Sequence, residues 1–381
     1  RVSRSASHGA ARSPRSRSAA VTAMASKPAH HLSGLLSGLA VLPLNPPRPA
    51  AAAVCVGLVV VLACTVLFDP AGRDCLLRKL ALYARGAAMM VVGRDKKWKK
   101  KGRPDPALVA FAKDVKRKRV VFIRHGESEW NLIFNVGSKI FVPFKAVAAL
   151  VRETLLFLRL DDDSVLYDSP LNDEGLRQAR DLDAVFASYA GAAPEDVAAA
   201  LDPARSVVCS SNLRRAAQTV ALGLRSRLDR SREKVHLLSA LQEISTNVDT
   251  LSITPARDAP RELGGGVPAS LRDADRWDVS ANSGNKRIRG RGLERLQAFS
   301  EWTFKRDEPC VVAGGHSLFF RGFFREFLPA GANPLTARDN KVANGGVVAF
   351  TLERGTVEGA GDEPAQIQYR VVPESLVEVH L

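Results

Sequence analysis

The stretch VVFIRHGESEWN, Val120 to Asn131, decides the fold of this chain. Its first four residues are apolar, a pattern typical of a strand that is buried on both faces of a parallel sheet. The sequence then turns polar at once, in Arg124, His125 and Glu127. Because reactive residues of open α/β sheets lie just beyond the carboxyl ends of the strands, the stretch predicts a strand that delivers Arg124 and His125 to a functional site.

Two later stretches repeat this change from apolar to polar. SVVCSS, Ser206 to Ser211, leads to Arg214 and Arg215, and CVVAGG, Cys310 to Gly315, leads to His316. Helical stretches separate these strands. The alternation of strand, turn and helix predicts an α/β domain, a three-layer α/β/α sandwich with a mostly parallel central sheet.

Shorter signals predict further elements. LNDEGLRQARDLDAVFASYA, Leu171 to Ala190, has acidic residues at its start and apolar residues at helical spacing, and NLRRAAQTVALGL follows Ser211 as the expected N-cap. Near the C-terminus, GVVAFTLERG and QIQYRVV predict two final strands joined by a Gly-rich loop.

Histidines and arginines gather at the predicted strand ends. Two histidines, His125 and His316, and at least two arginines follow the three strands. Arginine donates two parallel hydrogen bonds to a phosphate group, and a neutral imidazole can attack phosphorus. The cluster therefore predicts a pocket for phosphoryl transfer.

Four motifs together resemble those of the histidine phosphatase superfamily. They are RHGESEWN at 124–131, PLNDEG with a downstream QA at 170–179, SNLRRAAQT at 211–219 and GGHS at 314–317. The superfamily contains cofactor-dependent phosphoglycerate mutases and many phosphatases, and the resemblance covers roughly Val120 to Leu352. The RHG block is its most diagnostic part.

The resemblance implies roles for the strand-end residues. His125 is the implied nucleophile that becomes a phosphohistidine, with Arg124 and Arg215 on the phosphoryl oxygens. His316 is the implied second histidine, which stabilises the charge that spreads over those oxygens in the transition state. The S-x-L-x-R-A register selects Arg215, and it leaves Arg214 as an expected exposed helix residue.

Further positions follow from the same resemblance. Ser128 and Asn131 fall where the family contacts the phosphate or the substrate. The proton donor is expected on the loop after the next strand, where LLSALQEIS offers Glu243. Asp249 is the alternative donor, and a capping carboxylate is the alternative role for Glu243. No cofactor and no metal are expected.

Departures from the family bear on the reaction. After Glu243 the sequence lacks the Tyr-Gly stretch of the phosphoglycerate mutases, and GGHS lacks their Gly-Asn insertion. Both differences favour a phosphatase acting on a phosphorylated small molecule. RHGESEWN remains as mutase-like as any, so a mutase-type isomerase stays an alternative, and a catalytically silent, membrane-tethered interaction module is a third.

Charge separates the chain into an arm and a body. The 119 residues before Val120 carry 23 basic against 5 acidic residues, a net charge of +18, within a total of +15. Phosphate-binding charge of a globular nucleic-acid binder would lie on the folded domain, so that class is excluded. Residues 1–49 resemble a basic targeting or leader region, or an incomplete gene model.

An uncharged run of 19 residues, Ala50 to Phe68, is close to the roughly 20 residues that cross a bilayer. It predicts a transmembrane helix, with a buried core helix or a signal-peptide core as alternatives. Basic residues follow the run more densely than they precede it, which predicts a single-pass membrane protein with its body in the cytosol, and an organelle membrane is one alternative for its location.

Residues 69–119 are expected to be a basic juxtamembrane linker, and 120–381 the catalytic domain. The clusters RDKKWKKKGR and KDVKRKR in the linker either contact anionic lipid or are solvated. Five cysteines without CxxC spacing indicate neither a zinc site nor a disulfide framework. The oligomeric state is not readable.

Two long insertions interrupt the family pattern. Lys139 to Leu160 predicts a helix on which Lys145, Arg152 and Arg159 form one basic stripe. That helix either caps the active site, packs on a second subunit, lies on the membrane or belongs to the core. Asn247 to Arg291 contains the basic NKRIRGR and either adds cations to the pocket or is a surface loop.

Overall fold

The computed structural model describes residues 69–98, 104–188, 195–264, 266–330, 332, 342–358 and 364–380. The predicted leader (1–49) and the predicted transmembrane run (50–68) lie outside this part of the chain. Among the described helices, none has the length and apolar character needed to cross a membrane.

The described part of the chain alternates helices and strands, as the sequence predicts. The α-helices are α1 Pro70–Val92, α2 Glu129–Phe134, α3 Val142–Leu158, α4 Asp173–Ser188, α5 Glu195–Leu201, α6 Arg214–Gly223, α7 Arg225–Ser231, α8 Ala269–Arg272, α9 Gly292–Phe304 and α10 Ser317–Phe327. The strands are β1 Lys116–Arg124, β2 Ser206–Ser211, β3 Val235–Leu238, β4 Trp277–Asp278, β5 Cys310–Gly315, β6 Val347–Val357, β7 Gln366–Val371 and β8 Val377–His380.

The strands form one eight-stranded sheet in the order β4-β3-β2-β5-β1-β6-β7, with β8 also paired to β6. The pairs from β4 to β1 are parallel, whereas β6 pairs antiparallel with β1, β7 and β8. The α/β prediction is confirmed, and the two predicted C-terminal strands are β6 and β7. The sheet is mixed rather than mostly parallel, because the chain after α10 returns as antiparallel strands joined by short connections.

Both faces of the sheet are covered. Along β1, Val121 and Ile123 pack into one apolar cluster with residues of α4, α6 and α7, while Val120 and Phe122 pack into a second cluster with residues of α9 and α10. Successive side chains of a strand point to opposite faces, so a strand with apolar residues at every position needs cover on both. The continuous run VVFI is therefore explained by a layer of helices on each side.

The helix after β2 begins later than the sequence predicts. It starts at Arg214 with Leu213 in the N-cap position, so Ser211 is not the cap. Asp168, from a distant segment, accepts a hydrogen bond from the Arg214 backbone N–H at 2.8 Å. A carboxylate brought in by the tertiary fold thus satisfies the open donor that a local Ser would have taken.

The expected linker carries structure of its own. Its first part is α1, and Cys75, Lys79 and Met89 on this helix are buried. Met89 packs in a cluster with Tyr167 and Leu251, and the Lys79 ammonium donates to the Asp163 carbonyl at 2.7 Å. Residues 69–98 and the α/β domain therefore pack together, within one contact unit that spans Asp69–Leu381.

A buried ion cluster fixes the end of this segment. The Asp95 carboxylate is 2.9 Å from the Lys286 ammonium and 2.7 Å from an Arg295 guanidinium nitrogen, and it accepts the Ser245 backbone N–H at 3.0 Å. Burial alone would raise the pKa of Asp95, but the charges of Lys286 and Arg295 outweigh it and hold the pKa below the ordinary value. Asp95 is therefore ionised and is the shared counter-charge of Lys286 and Arg295.

We expect Asp95→Asn to lower the free energy of unfolding by about 3–5 kcal/mol, because it leaves Lys286 and Arg295 without their buried counter-charge. The exposed Asp74→Asn is the matched control and should cost less than about 1 kcal/mol. Because the folded pKa of Asp95 is lowered, its contribution is present above the unfolded pKa, about 3.9, and is lost as pH falls through the folded value. Urea unfolding of both variants measures this, and equal losses would contradict the account.

Candidate active site

The two predicted histidines meet at the carboxyl ends of β1 and β5. The strands pair in parallel with Arg124 opposite Gly315, and the His125 backbone N–H donates to the Gly315 carbonyl at 3.0 Å. His316 follows Gly315 directly, so the pairing brings the two imidazole rings to a centroid distance of 5.1 Å. Both side chains are almost completely buried.

The hydrogen bonding of His125 fixes which ring nitrogen is available. Its Nδ1 lies 2.6 Å from the Gly126 carbonyl, which can only accept, so Nδ1 carries the proton. The lone pair is then on Nε2. Burial, followed by the charges of Arg215 and Arg124, holds the pKa of His125 well below its ordinary value, so the ring is neutral near pH 7.

His316 is bound on one side only. Its Nε2 is 2.9 Å from the Ser211 hydroxyl, at the end of β2, and its Nδ1 is buried without a hydrogen-bond partner in the described residues. Burial and the charge of Arg215 also hold the pKa of His316 well below its ordinary value. An unpartnered buried imidazole nitrogen costs free energy unless a bound group pairs with it.

Arg124 and Arg215 face the cavity beside these rings. Arg124 donates to the Val342 carbonyl, and its buried Nε has no partner in the described residues. Burial lowers the pKa of Arg124 to about 10, which leaves it charged at neutral pH. Arg215 donates to the Asp249 carbonyl at 2.8 Å and lies 3.3 Å from the Asp249 carboxylate. The two arginines provide a positive, nearly dry end to the cavity.

Arg214 is buried, so the expectation of an exposed helix residue is wrong. Its guanidinium donates to the carbonyls of Asp168 and Ser164 and to the Asp163 carboxylate at 2.5 Å. Every residue of α6 is buried, because the helix lies between the sheet and the loops that follow α3 and Asn247. The sequence register distinguished Arg214 from Arg215, which lines the cavity, but it carried no sign of the loops that cover Arg214.

Two buried carboxyl groups, Glu243 and Asp249, also line the cavity. Glu243 accepts the Phe319 backbone N–H, at the start of α10, at 3.0 Å. Burial raises the pKa of Glu243 above its ordinary value despite the nearby cations. Burial likewise raises the pKa of Asp249 to about 6, and its Oδ1 has no partner in the described residues. Both predicted donors are therefore present, and both hold protons more readily than exposed carboxyls.

Lys286 binds the backbone of the loop that carries Glu243. Its ammonium donates to the carbonyls of Glu243 and Ser245 at 2.6 Å each and to the Thr250 hydroxyl at 3.0 Å. Burial lowers the pKa of Lys286 to about 8, although Asp95 opposes that shift. The sequence marked NKRIRGR as basic but did not single out Lys286, and its partner Asp95 lies outside the family motifs.

Ser128 and Asn131 form the N-terminal cap of α2. The Ser128 hydroxyl accepts the Asn131 backbone N–H at 3.3 Å and also donates to the Asn131 side-chain oxygen at 3.0 Å. Because that oxygen is occupied, the Asn131 amide nitrogen is the group that can donate to a ligand. Ser128 thus orients Asn131, and both line the cavity.

The PLNDEG segment, residues 170–175, packs against the RHGE loop, residues 124–127. Asn172 donates from its side chain to the Glu127 carboxylate at 2.7 Å. A Cβ on Gly126 would lie 2.6 Å from the Gly175 carbonyl oxygen, and one on Gly175 would lie 1.9 Å from the Glu127 carbonyl oxygen. Neither position has space for a side chain, which explains why glycine stands in both motifs.

The cavity has a volume of about 120 Å³, and its charged or titratable lining residues are Arg124, His125, Arg215, Glu243 and Asp249. Trp130, Asn135, Ser245, Asn247, Thr250 and Ser317 also line it, and the sequence did not single them out. The nitrogens of His125 and His316 and a Glu243 oxygen lie within 4.8 Å of one another, close enough to ligate a metal ion. The two guanidinium groups beside them favour an anion over a cation.

No family model and no curated protein matches the chain. Similar solved structures include a mycobacterial hydrolase, at 14% identity over 68% of this chain and 97% of that one, with a TM-score of 0.32. A mycobacterial glucosyl-3-phosphoglycerate phosphatase in complex with VO3 has 14% identity over 67% and 98%, with a TM-score of 0.30. TTHB049 of Thermus thermophilus has 18% identity over 69% and 99%, with a TM-score of 0.29.

The resemblance to the histidine phosphatase superfamily rests on the four sequence motifs. At these identities and TM-scores, the overlaps carry no argument about its chemistry. That argument rests on the contacts of the five candidate catalytic residues. Arg124, His125, Arg215 and Glu243 line one cavity, and His316 lies next to His125.

Replacing Arg215 by Met should mainly weaken phosphate binding, whereas replacing Arg214 by Met should mainly lower the stability of the fold. Arg215→Met should weaken the binding of inorganic phosphate by about 10- to 100-fold, because a charged donor at the cavity is lost, with a smaller effect on folding. Arg214→Met should lower the unfolding temperature and leave the phosphate affinity of the folded protein within about threefold, because its bonds hold the loop at 163–168. Calorimetric titration and thermal unfolding separate the two, and the reverse pattern would contradict the assignment.

Proposed function

We propose that the chain is a phosphomonoester hydrolase that acts through a phosphohistidine on His125. One observation carries the proposal: a neutral imidazole with its Nε2 lone pair free lies beside two buried guanidinium groups at the end of a small polar cavity. A neutral imidazole is a nucleophile, and the guanidinium pair fits a phosphoryl dianion.

In the first step, His125 Nε2 forms a bond to phosphorus while the bond from phosphorus to the ester oxygen breaks. Arg124 and Arg215 bind the phosphoryl oxygens through this step, and the unpartnered Nδ1 of His316 is available to a third contact. The Asn131 amide nitrogen donates from the opposite rim, oriented by Ser128. These fixed donors stabilise the charge that spreads over the oxygens in the transition state.

Glu243 handles the proton in both steps. Its raised pKa supplies a protonated carboxyl that gives its proton to the departing alkoxide. The resulting carboxylate then takes a proton from the water that attacks the phosphohistidine, so that inorganic phosphate leaves and His125 is restored. The neighbouring cations supply the positive charge that the phosphoryl group needs, and we propose that the reaction requires no metal ion.

The lining of the cavity favours hydrolysis over the mutase reaction, in which the phosphoryl group moves from one hydroxyl of the substrate to another. Among the described lining residues, Arg124 and Arg215 are the cations, enough for one phosphoryl group. A mutase primed by a bisphosphate must also hold a second anion. A silent module is the weaker reading, because the nucleophile, both arginines, the second histidine and the carboxyl are all in contact with the cavity or one another.

The proposal includes a membrane anchor at residues 50–68, with the catalytic domain on the cytosolic side. Its support is the 19-residue uncharged run and the basic residues that follow it. A phosphorylated small molecule is the proposed substrate, and lipid is the proposed partner of the N-terminal part of the chain.

His125→Ala should lower phosphate release from a panel of phosphomonoesters by at least about 10³-fold, because the nucleophile is lost. His236→Ala is the matched control, since His236 pairs with Asp278 outside the cavity, and it should retain activity. The measurement is phosphate release by the full chain without added metal, with interconversion of 2- and 3-phosphoglycerate followed in the same samples. Full activity of His125→Ala would refute the mechanism, and interconversion with little release would establish the mutase alternative.

In a single turnover, Glu243→Gln should slow release of the alcohol from an alkyl phosphate by about 10²–10⁴-fold and affect release from an aryl ester with a good leaving group much less, because in this first step only the alkoxide needs the proton. In the wild type, alkyl-ester kcat should fall as pH rises through the raised pKa of Glu243, and Gln should remove that fall. If Asp249→Asn instead removes a fall near pH about 6, then Asp249 is the donor.

A further inference from the structure

Helices α1 and α3 pack side by side and leave an apolar groove between them. The Tyr83 hydroxyl of α1 donates to the Glu153 carboxylate of α3 at 2.7 Å, and the Tyr83 and Phe157 rings lie 6.0 Å apart. The groove has a volume of about 370 Å³. Apart from Glu153 and Thr154, its lining is apolar or aromatic, and it includes Leu80 and Leu150.

The outer side of α3 is apolar where a water-exposed helix would be polar. Ala149 and Glu153 face inward, while Phe144 is 73% exposed and Val151 is 55% exposed. Five exposed apolar residues lie within about 80° of one another around the helix axis, at 3.6 residues per turn. They are Phe144, Val147, Val151, Leu155 and Leu158.

Basic residues run along one edge of this strip. Arg152 and Arg159 are exposed beside it, and Lys145 is held by bonds to the carbonyls of Leu132 at 2.9 Å and Val136 at 3.0 Å. An apolar strip edged by arginines is the arrangement of helices that lie in a membrane interface, with apolar side chains in the lipid and guanidinium groups at the headgroups.

Helix α1 also exposes apolar residues. From Leu80 to Val92 the exposed residues of α1 carry no charge. The highest exposed fractions among the large apolar residues of this stretch belong to Leu80, Met90 and Val91. Arg85, the charged residue of that stretch, is turned inward to the carbonyls of Asn285 and Lys286. Exposed apolar surface of this extent marks an interaction site.

The chain itself indicates what covers this surface. The uncharged run ends at Phe68, and Asp69 alone separates it from Pro70, the first residue of α1. If the run enters a bilayer, as the proposed function holds, α1 begins at the lipid headgroups. We propose that the outer face of α1 and α3 lies in the interface of that bilayer, with anionic headgroups on Arg152 and Arg159.

This placement ties the active site to the lipid surface. The bonds of Lys145 join α3 to α2, and α2 carries Trp130 and Asn131, which line the catalytic cavity. Docking of α3 therefore holds a cavity-lining helix next to the membrane.

The test uses the full chain in vesicles of phosphatidylcholine and phosphatidylserine, with a fluorophore on single introduced cysteines. In a background of Cys55→Ala and Cys64→Ala, the probe sits on Val151→Cys in α3, on Gln297→Cys on the exposed side of α9, or on Val59→Cys in the uncharged run. Lipids brominated on their acyl chains should quench the probes at 151 and 59 by about twofold and leave that at 297 unchanged.

The outcomes separate the docking from the anchor. Quenching at 59 without quenching at 151 overturns the docking and keeps the anchor, and no quenching at either overturns both. A blue shift at 151 without quenching means that protein covers the face, a second copy or residues 50–68, and also overturns the proposal.

A second test removes the charges of Arg152 and Arg159 without removing the apolar strip. Arg152→Gln with Arg159→Gln should reduce quenching at 151 in vesicles that contain phosphatidylserine and leave it unchanged in phosphatidylcholine alone, because the lost attraction is to anionic headgroups. An equal effect in both lipids would overturn the role of these arginines.

Discussion

The parallel pairing of β1 with β5 is the interaction on which the site depends. It sets Arg124 opposite Gly315, so the two residues that follow the pair, His125 and His316, emerge side by side. A shift of register by one residue would turn every side chain of the shifted strand to the opposite face of the sheet and separate the imidazole rings. The close packing of the two apolar clusters holds that register, because Val121 and Ile123 fit one cluster and Val120 and Phe122 fit the other.

Around this pair of histidines, the site is surrounded by buried charged side chains. Arg124 and Arg215 share the cavity with the buried carboxyls of Glu243 and Asp249, and Glu243 accepts the backbone N–H groups of Ile244 and Phe319. Lys286 connects the loop at Glu243 to Asp95, a residue that precedes the motif-bearing part of the chain. The loop that carries the proposed proton donor is therefore held by residues 69–98 folded on the domain.

Local patterns sufficed to predict the α/β class and the strand ends, because continuous apolar runs and abrupt polar turns report burial directly. The motif register placed His125, Arg215 and Glu243 at one cavity. What the sequence did not show are the long-range contacts: Asp168 replaces Ser211 as the cap of α6, and Lys286 finds Asp95. Such pairs lie far apart in the chain, and no periodicity records which buried charge meets which.

The phosphohistidine itself tests the account most directly. The full chain is mixed with a ³²P-labelled phosphomonoester, quenched in alkali, digested and mapped. The account predicts label that is stable to alkali, labile to acid and confined to the peptide that contains His125, and no label in His125→Ala. Label that alkali removes, or label that persists in His125→Ala, would contradict it.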